Sequence, residues 1–186
     1  MNSGRTIFAP LTDVVSPYEF RKCVDRYDGH DKVKNFTCWN QFLCLAFAQR
    51  TSRESLRDSE ACLRVAQPTL YHMGFRGPVA RNTLAPANQV RDWRIFADFA
   101  QGLITAARTL YAADEFGVEL EQVAYALDAT VIDLCLALFP WAQFRTRKAA
   151  GTLHPLLNLR GSIPSVLFIT PGRGPDVNLL AQLATE

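Results

Sequence analysis

Hydrophobic positions in the first part of the chain recur at helical spacing. Ser16, Pro17 and Glu19 combine an N-cap, a proline at the first helical position and an acidic third residue, so they predict a helix that Gly29 ends. A second apolar stripe predicts another helix. Its members are Trp39, Phe42, Leu43, Ala46 and Phe47.

Further capping signals continue this helical pattern. Thr51 and Glu54 predict a second capping box, and Pro68 opens a short turn that stops at Gly74. We predict Asn82 as the N-cap of a long helix that runs to about Tyr111, with Pro86 delaying or kinking its start. Its predicted buried stripe has nearly heptad spacing. The stripe contains Val90, Trp93, Phe96, Ala97, Ala100, Leu103, Ile104, Ala107 and Leu110.

After Ala113 the apolar runs have the length of strands. Residues 123–127 form one such run, and residues 153–159 and 163–170 form two more, joined by a hairpin-type connection. An amphipathic helix is predicted over 176–184. The pattern therefore predicts an α+β protein, in which a helical region, 1–112, precedes a region of three strands and a helix, 113–186.

Charge divides the chain at the same place. Residues 1–112 hold 15 Lys and Arg against 10 Asp and Glu, whereas residues 113–186 hold 5 against 8. The basic residues are arginines apart from Lys22, Lys32, Lys34 and Lys148, and a guanidinium can donate two hydrogen bonds at once to phosphate or guanine. A solvated surface with ion pairs would account for this excess, and a nucleic-acid-binding region is the alternative.

Composition argues against a secreted or membrane protein. The five cysteines have no CxxC spacing, which favours reduced thiols. The longest uncharged run, 35–49, has 15 residues, fewer than the roughly 20 that a membrane span needs. No secretory signal is evident at the N-terminus. We expect a cytoplasmic protein with no membrane partner.

Two places in the sequence could carry chemistry. Asp128 follows an apolar run, where burial is costly unless the carboxylate caps a helix or binds a cation; two-metal phosphoryl-transfer sites arrange several such carboxylates around Mg²⁺. The second place is a loop entering a helix, where recognition residues contact DNA. Candidate DNA contacts are Arg76, Arg81, Asn82, Thr83, Arg91 and Arg94, although a capped helix with surface arginines would look the same.

Several longer runs resemble bacterial insertion-sequence transposases of the insertion-sequence-four family, which belongs to the DDE class. They are YEFRKCV at 18–24, FTCWNQFLC at 36–44, SRESLRD at 52–58, LYHMG at 70–74, RDWRI at 91–95, YALDAT at 125–130, LCL at 134–136 and LFPWA at 138–142. The resemblance implies a helical DNA-binding domain, 1–112, and the first part of a ribonuclease-H-like catalytic domain, 113–186.

The resemblance also implies roles for particular residues. Asp128 matches the first catalytic, Mg²⁺-binding Asp of the family, whereas neither Asp176 nor Glu186 matches the other two catalytic carboxylates. We therefore expect a C-terminally truncated form that does not cleave DNA by itself, with a marginally stable C-terminal half. Thr152 stands where relatives carry Lys, which fits a drifting copy.

Three functional hypotheses remain open from the sequence. The first is a transposase that binds double-stranded DNA at the terminal inverted repeats of its element, in the bacterial cytoplasm at the nucleoid. The second is a non-catalytic protein that binds DNA or dimerises, as a homodimer or as a heterodimer with an intact transposase that it modulates. The third is a helical interaction domain with no nucleic-acid role.

Overall fold

The computed structural model describes residues 8–31, 33–53, 55–111, 125–127, 130–134, 143–145, 148–158 and 163–171. Its helices are α1 (Phe8–Asp13), α2 (Pro17–Arg26), α3 (Cys38–Arg50), α4 (Leu56–Val65), a 3₁₀ helix (Gln67–Met73), α5 (Arg81–Val90) and α6 (Arg94–Leu110). Its strands are β1 (Tyr125–Leu127), β2 (Thr130–Leu134), β3 (Gln143–Arg145), β4 (Lys148–Asn158) and β5 (Ile163–Pro171). The α+β class predicted from the sequence is confirmed.

The chain divides into two compact units, Met1–Phe99 and Ala100–Glu186. The division falls inside α6. The domain boundary predicted at 112/113 stays a prediction. The predicted helix over 176–184 lies outside the described residues. None of the described helices combines the length and the apolar character that crossing a membrane would require.

Two of the predicted helix signals are confirmed. The Ser16 hydroxyl accepts a hydrogen bond from the Glu19 amide at 3.3 Å and so caps α2. The turn opened by Pro68 is the 3₁₀ helix, and Gly74 ends it in the left-handed conformation with φ of +87°, which glycine adopts without steric cost.

The capping box predicted at Thr51 is wrong. Thr51 instead follows the last residue of α3, where its hydroxyl donates to the Phe47 carbonyl at 2.7 Å. Ser55 caps α4, since its hydroxyl accepts from the Asp58 amide at 3.1 Å and donates to the Asp58 carboxylate at 2.6 Å. Thr51 and Ser55 are four residues apart. Because α3 continues to Arg50, Thr51 lies at the C-terminal end of α3 and does not cap α4.

The long helix predicted from Asn82 to Tyr111 is in fact two helices. Ala80, not Asn82, precedes the first turn of α5, and Arg91 ends this helix with an extended backbone at ψ of 140°. The Asp92 carboxylate accepts from the Arg94 amide at 2.9 Å and so begins α6 anew. Pro86 lies inside α5.

The break also changes which positions are buried. Val90, placed in the predicted stripe, is 81% exposed, whereas Ile95 is fully buried. Phe99 and Ile104 are the other buried apolar side chains of α6. The helical phase is reset at residues 91–93, so a stripe drawn through the break includes the exposed Val90 and omits Ile95 and Phe99, whereas Ile104 is buried as predicted.

Aromatic and aliphatic side chains from several helices form the core of the first unit. One cluster contains Phe8, Leu43, Cys44, Phe47, Leu63, Leu70, Met73, Phe75 and Leu84. A group of rings surrounds Phe20, whose centroid lies 5.0 Å from that of Phe99 and 5.4 Å from that of Trp39. These edge contacts hold α2 against α3 and the start of α6.

Gly29 lies where α2 gives way to the next segment and is tightly enclosed. A Cβ atom there would be 2.7 Å from Ile95 Cδ1 and 2.9 Å from Val24 Cγ1. Since both atoms are fully buried with their side chains, only glycine fits without displacing the core.

The second unit is an antiparallel sheet centred on β4. The predicted hairpin is confirmed as β4 and β5, in which His154 lies opposite Phe168. β1 and β2 both pair with β4 in the same antiparallel register. Leu127 lies opposite Leu156 and Thr130 lies opposite Leu153. These two strands share residues of β4 with β5 and therefore occupy its other edge.

Candidate nucleic-acid interface

The six predicted DNA contacts occupy two short regions of the first unit. Arg76, Arg81, Asn82 and Thr83 lie in the segment that leads from the 3₁₀ helix into the first turn of α5. Arg91 and Arg94 lie at the junction between α5 and α6. The two regions differ in what surrounds their arginines.

The first turn of α5 presents its polar side chains to solvent. Arg81, Asn82 and Thr83 are all exposed, whereas Leu84 and Ala87 are buried. The inward residues fix the rotation of the helix, since side chains three and four positions apart share one face. The structure therefore keeps three of the predicted contacts together on one accessible turn.

A carboxylate from α4 reaches the N-terminus of α5. Glu60 Oε1 accepts a hydrogen bond from the Arg81 amide at 3.1 Å. The first amides of a helix can hold a phosphate, but Glu60 already occupies one of those of α5. Sequence reasoning missed Glu60, because 21 residues separate it from Arg81 and no local pattern links them.

The guanidinium groups of Arg76 and Arg81 have no hydrogen-bond or ion-pair partner anywhere in the described part of the chain. Both side chains are exposed. Arg50 and Arg57 are also exposed and unpaired within the same ranges. Unpaired guanidinium groups can meet phosphate without first breaking an internal interaction.

Gln89 lies on the same exposed side of α5 as Asn82. It is not among the six contacts predicted from the sequence. Asn82, Pro86 and Gln89 are exposed and stand at positions i, i+4 and i+7 of α5, which places them on one face. The sequence of α5, RNTLAPANQV, contains no Asp or Glu. Helical spacing from Asn82 reaches Gln89 at i+7, so periodicity is the signal that could have found it.

Arg91 is committed to the interior of the unit. Its guanidinium donates to the Thr37 carbonyl at 3.0 Å, to Gln41 Oε1 at 2.9 Å and to the Phe36 carbonyl. Burial lowers the pKa of Arg91 below its usual value. These bonds tie the α5–α6 junction to the start of α3 and leave little of the guanidinium for a ligand.

Gln41 extends this network to α5. It is buried, and its amide nitrogen donates to Asn88 Oδ1 at 2.7 Å while its oxygen accepts from Arg91. Both ends of a buried amide are thereby satisfied. Arg91, Gln41 and Asn88 form a connected polar group that fixes the orientation of α5.

Arg94 is half exposed and paired with its neighbour. Its Nε and one terminal nitrogen bind the two oxygens of Asp92 at 3.0 and 2.5 Å, and its guanidinium lies 4.9 Å from the centroid of the Tyr27 ring. The Arg94 hydrogen bond holds the pKa of Asp92 below its usual 3.8. The Arg94 guanidinium is therefore already engaged by Asp92 and by the Tyr27 ring, although it remains exposed.

Asp128, the predicted catalytic and Mg²⁺-binding residue, lies outside the described residues. Across the ranges that the structure describes, no group of three His, Cys, Asp or Glu side chains is arranged to hold a metal ion.

Comparison with known proteins bears on the helical unit. Residues 3–76 match the family model described as a domain of unknown function (DUF4372), a domain found in transposase-like proteins. The matched segment runs through the 3₁₀ helix and ends before α5. No curated protein matches the chain, and no solved structure does.

Proposed function

We propose that this chain is a transposase of the insertion-sequence-four family, in the DDE class, and that its helical unit binds double-stranded DNA at the terminal inverted repeats of its element. The observation that carries the proposal is the exposed face of α5, which bears Arg81, Asn82 and Gln89 and no acidic residue. The match of residues 3–76 to a domain of transposase-like proteins supports it.

The chemistry of this face suits base readout. An α-helix with its side chains is about 10–12 Å across and fits the major groove of B-DNA, which is about 12 Å wide. Asn82 and Gln89 carry amides that can donate to and accept from adenine, and Arg81 can donate twice to guanine. Arg76, on the preceding turn, supplies a phosphate contact that positions the helix.

α4 is a weaker candidate for the recognition helix. It exposes Arg57 and Arg64, but Asp58 and Glu60 lie beside them. Arg64 also pairs with Glu60, at 3.8 Å. Carboxylates on the same helix repel phosphates and offset the attraction of these arginines, so the acid-free α5 is the better choice.

A binding selection from randomised duplexes tests the proposal. The full chain is expected to enrich a sequence motif containing adenine, with an affinity that falls as salt rises. Asn82→Ala and Gln89→Ala should each cost about 1–3 kcal/mol of discrimination at one base position. Gln67→Ala removes an exposed amide outside α5 and serves as the matched control.

Enrichment of no motif, or a motif that both α5 variants retain, would reject α5 as the reading helix. Binding that ignores salt, or no DNA binding at all, would remove the DNA-binding function itself.

We further propose Asp128 as the first Mg²⁺-binding carboxylate of the transposase, since it follows β1 in the run YALDAT. Because a single carboxylate does not make a two-metal site, we expect no cleavage of element-end DNA by this chain alone. A Mg²⁺-dependent cleavage assay tests this, with Asp128→Ala as the variant. Cleavage activity that survives Asp128→Ala would overturn the assignment. Mg²⁺, when bound, would activate water or a 3′-hydroxyl and stabilise the leaving oxygen.

A further inference from the structure

A second candidate site lies on the first unit, within the segment matched to the family model. It is a cavity of about 320 Å³ that α2, the first turn of α3 and the turn at 74–76 enclose. α5 contributes none of its lining residues. Its volume falls in the range typical of small-molecule sites.

The inner wall of this cavity is apolar and aromatic. Phe20 and Val24, on α2, line the cavity and are buried. Trp39, on α3, also lines it and is partly buried. The Trp39 ring already stacks on Phe42 at 5.2 Å between centroids and 27° between planes. An indole held in place in this way is a rigid surface for a flat ring.

The rim carries positive charge from two separate elements. Arg21, on α2, and Arg76, on the turn after the 3₁₀ helix, both line the cavity and are exposed. Over the described ranges, neither guanidinium has a hydrogen-bond or ion-pair partner. His30 also lines the rim but is paired with Asp25, at 3.2 Å.

Asn40 adds a polar residue to the cavity lining. Its side-chain amide has no hydrogen-bond partner within the part of the chain that is described. The nearby backbone amides of Asn40 and Gln41 already donate to Thr37. The arginines are therefore the groups that can bind an anion here, and Asn40 can both donate and accept.

We propose that this cavity binds one unpaired nucleotide, with its phosphate on Arg21 and Arg76, its base against Trp39 and its base edge on Asn40. An aromatic ring, an amide and two guanidinium groups in one cavity match the three parts of a nucleotide. A base within a duplex is stacked and paired and could not enter. The ligand is either a free mononucleotide or a nucleotide of a single strand, and both have this chemistry.

Titration of the full chain with dAMP tests the proposal, with Trp fluorescence and calorimetry as readouts. We expect saturable binding and a fluorescence change that Trp39→Phe abolishes. Deoxyadenosine and inorganic phosphate, each lacking one part of the ligand, should bind at least about tenfold more weakly. Absence of saturable dAMP binding, or phosphate binding equal to that of dAMP, would overturn the nucleotide assignment.

Two variants localise the binding. Arg21→Gln should weaken dAMP about tenfold because it removes a charged hydrogen-bond donor, and an exposed, unpaired side chain is replaced without loss of folding. Asn40→Ala should alter the preference among the four mononucleotides. Arg50→Gln removes an equivalent unpaired charge outside the cavity and should leave dAMP binding unchanged; an equal loss in this control would overturn the site.

A last comparison identifies the source of the nucleotide and keeps this proposal separate from duplex recognition. A single-stranded pentanucleotide that competes with dAMP would indicate a nucleic-acid strand, and failure to compete would indicate a free nucleotide. Asn82→Ala and Gln89→Ala should leave dAMP binding intact. Arg76 belongs to both proposed sites and is kept in all of these variants, so loss of base readout through Asn82 or Gln89 would not imply loss of this site.

Discussion

The α5–α6 junction and the segment that leads into the first turn of α5 both carry arginines, but in opposite surroundings. Arg91 directs its guanidinium at two main-chain carbonyls and the Gln41 side chain, whereas Arg76 and Arg81 have unpaired guanidinium groups within the described ranges. The difference lies in the acceptors that the fold places around each side chain. A guanidinium group stays available for a ligand only where those acceptors are missing.

Substitution of the inward arginine should have the largest effect. Arg91→Ala is expected to lower the free energy of unfolding by about 3 kcal/mol, because it removes charged hydrogen bonds and leaves partly buried carbonyls without a donor. Urea unfolding followed by helical circular dichroism measures this. Arg91→Lys should recover only part of the loss, since an ammonium lacks the planar fork.

The matched control for Arg91 is Arg57→Ala, which removes an exposed and unpaired guanidinium from α4. Its unfolding free energy should stay within about 0.5 kcal/mol of the unsubstituted protein. An Arg91→Ala protein as stable as this control would show that the junction does not depend on its arginine.

The outward arginines should show the reverse pattern. The double substitution of Arg76→Gln and Arg81→Gln is expected to lower duplex affinity about tenfold and to reduce the salt dependence by about one phosphate contact, that of Arg76, with the urea midpoint unchanged. Fluorescence anisotropy across a salt series measures both quantities. A shifted urea midpoint with unchanged affinity would place these arginines among the stabilising residues and not the binding ones.

Glu60 offers a smaller change in the same region. Its carboxylate accepts from the Arg81 amide and lies at the N-terminus of α5. Glu60→Gln keeps an acceptor for this amide but removes a charge that repels phosphate, so duplex affinity should rise about threefold at low salt. Equal affinity of the two proteins across the salt series would indicate that DNA does not approach this end of the helix.

The same contrast explains which features the sequence could predict. The cap at Ser16, the turn from Pro68 to Gly74 and the β4–β5 hairpin depend on residues close together in the chain, so local patterns identified them. The acceptors of the Arg91 guanidinium lie 50 or more residues away in the sequence. Glu60, which accepts from the Arg81 amide, lies 21 residues away. No periodicity reports such contacts, and they determine which arginines remain available.

The predicted cap at Thr51 and the predicted long helix from Asn82 to Tyr111 were wrong for another reason. Thr51 and Ser55 are both acceptable caps, and only the length of α3 decides between them. The run from 82 to 111 has a nearly continuous apolar stripe, yet Arg91 is held toward residues 36–41 and breaks it. Tertiary interactions outweighed helix propensity at that point.

Arg94 is intermediate between the inward Arg91 and the outward Arg76 and Arg81, since its guanidinium is both paired and exposed. Arg94→Ala should lower stability less than Arg91→Ala, because solvent screens this pair. Asp92 has its pKa depressed below 3.8 in the folded state, so the pair stabilises fully above pH 3.8 and progressively less as the pH falls below it. The stability difference between Arg94→Ala and the unsubstituted protein should therefore shrink in acid, as urea unfolding at several pH values would show. A difference that stays constant through this range would mean that Arg94 acts through its contact with the Tyr27 ring and not through Asp92.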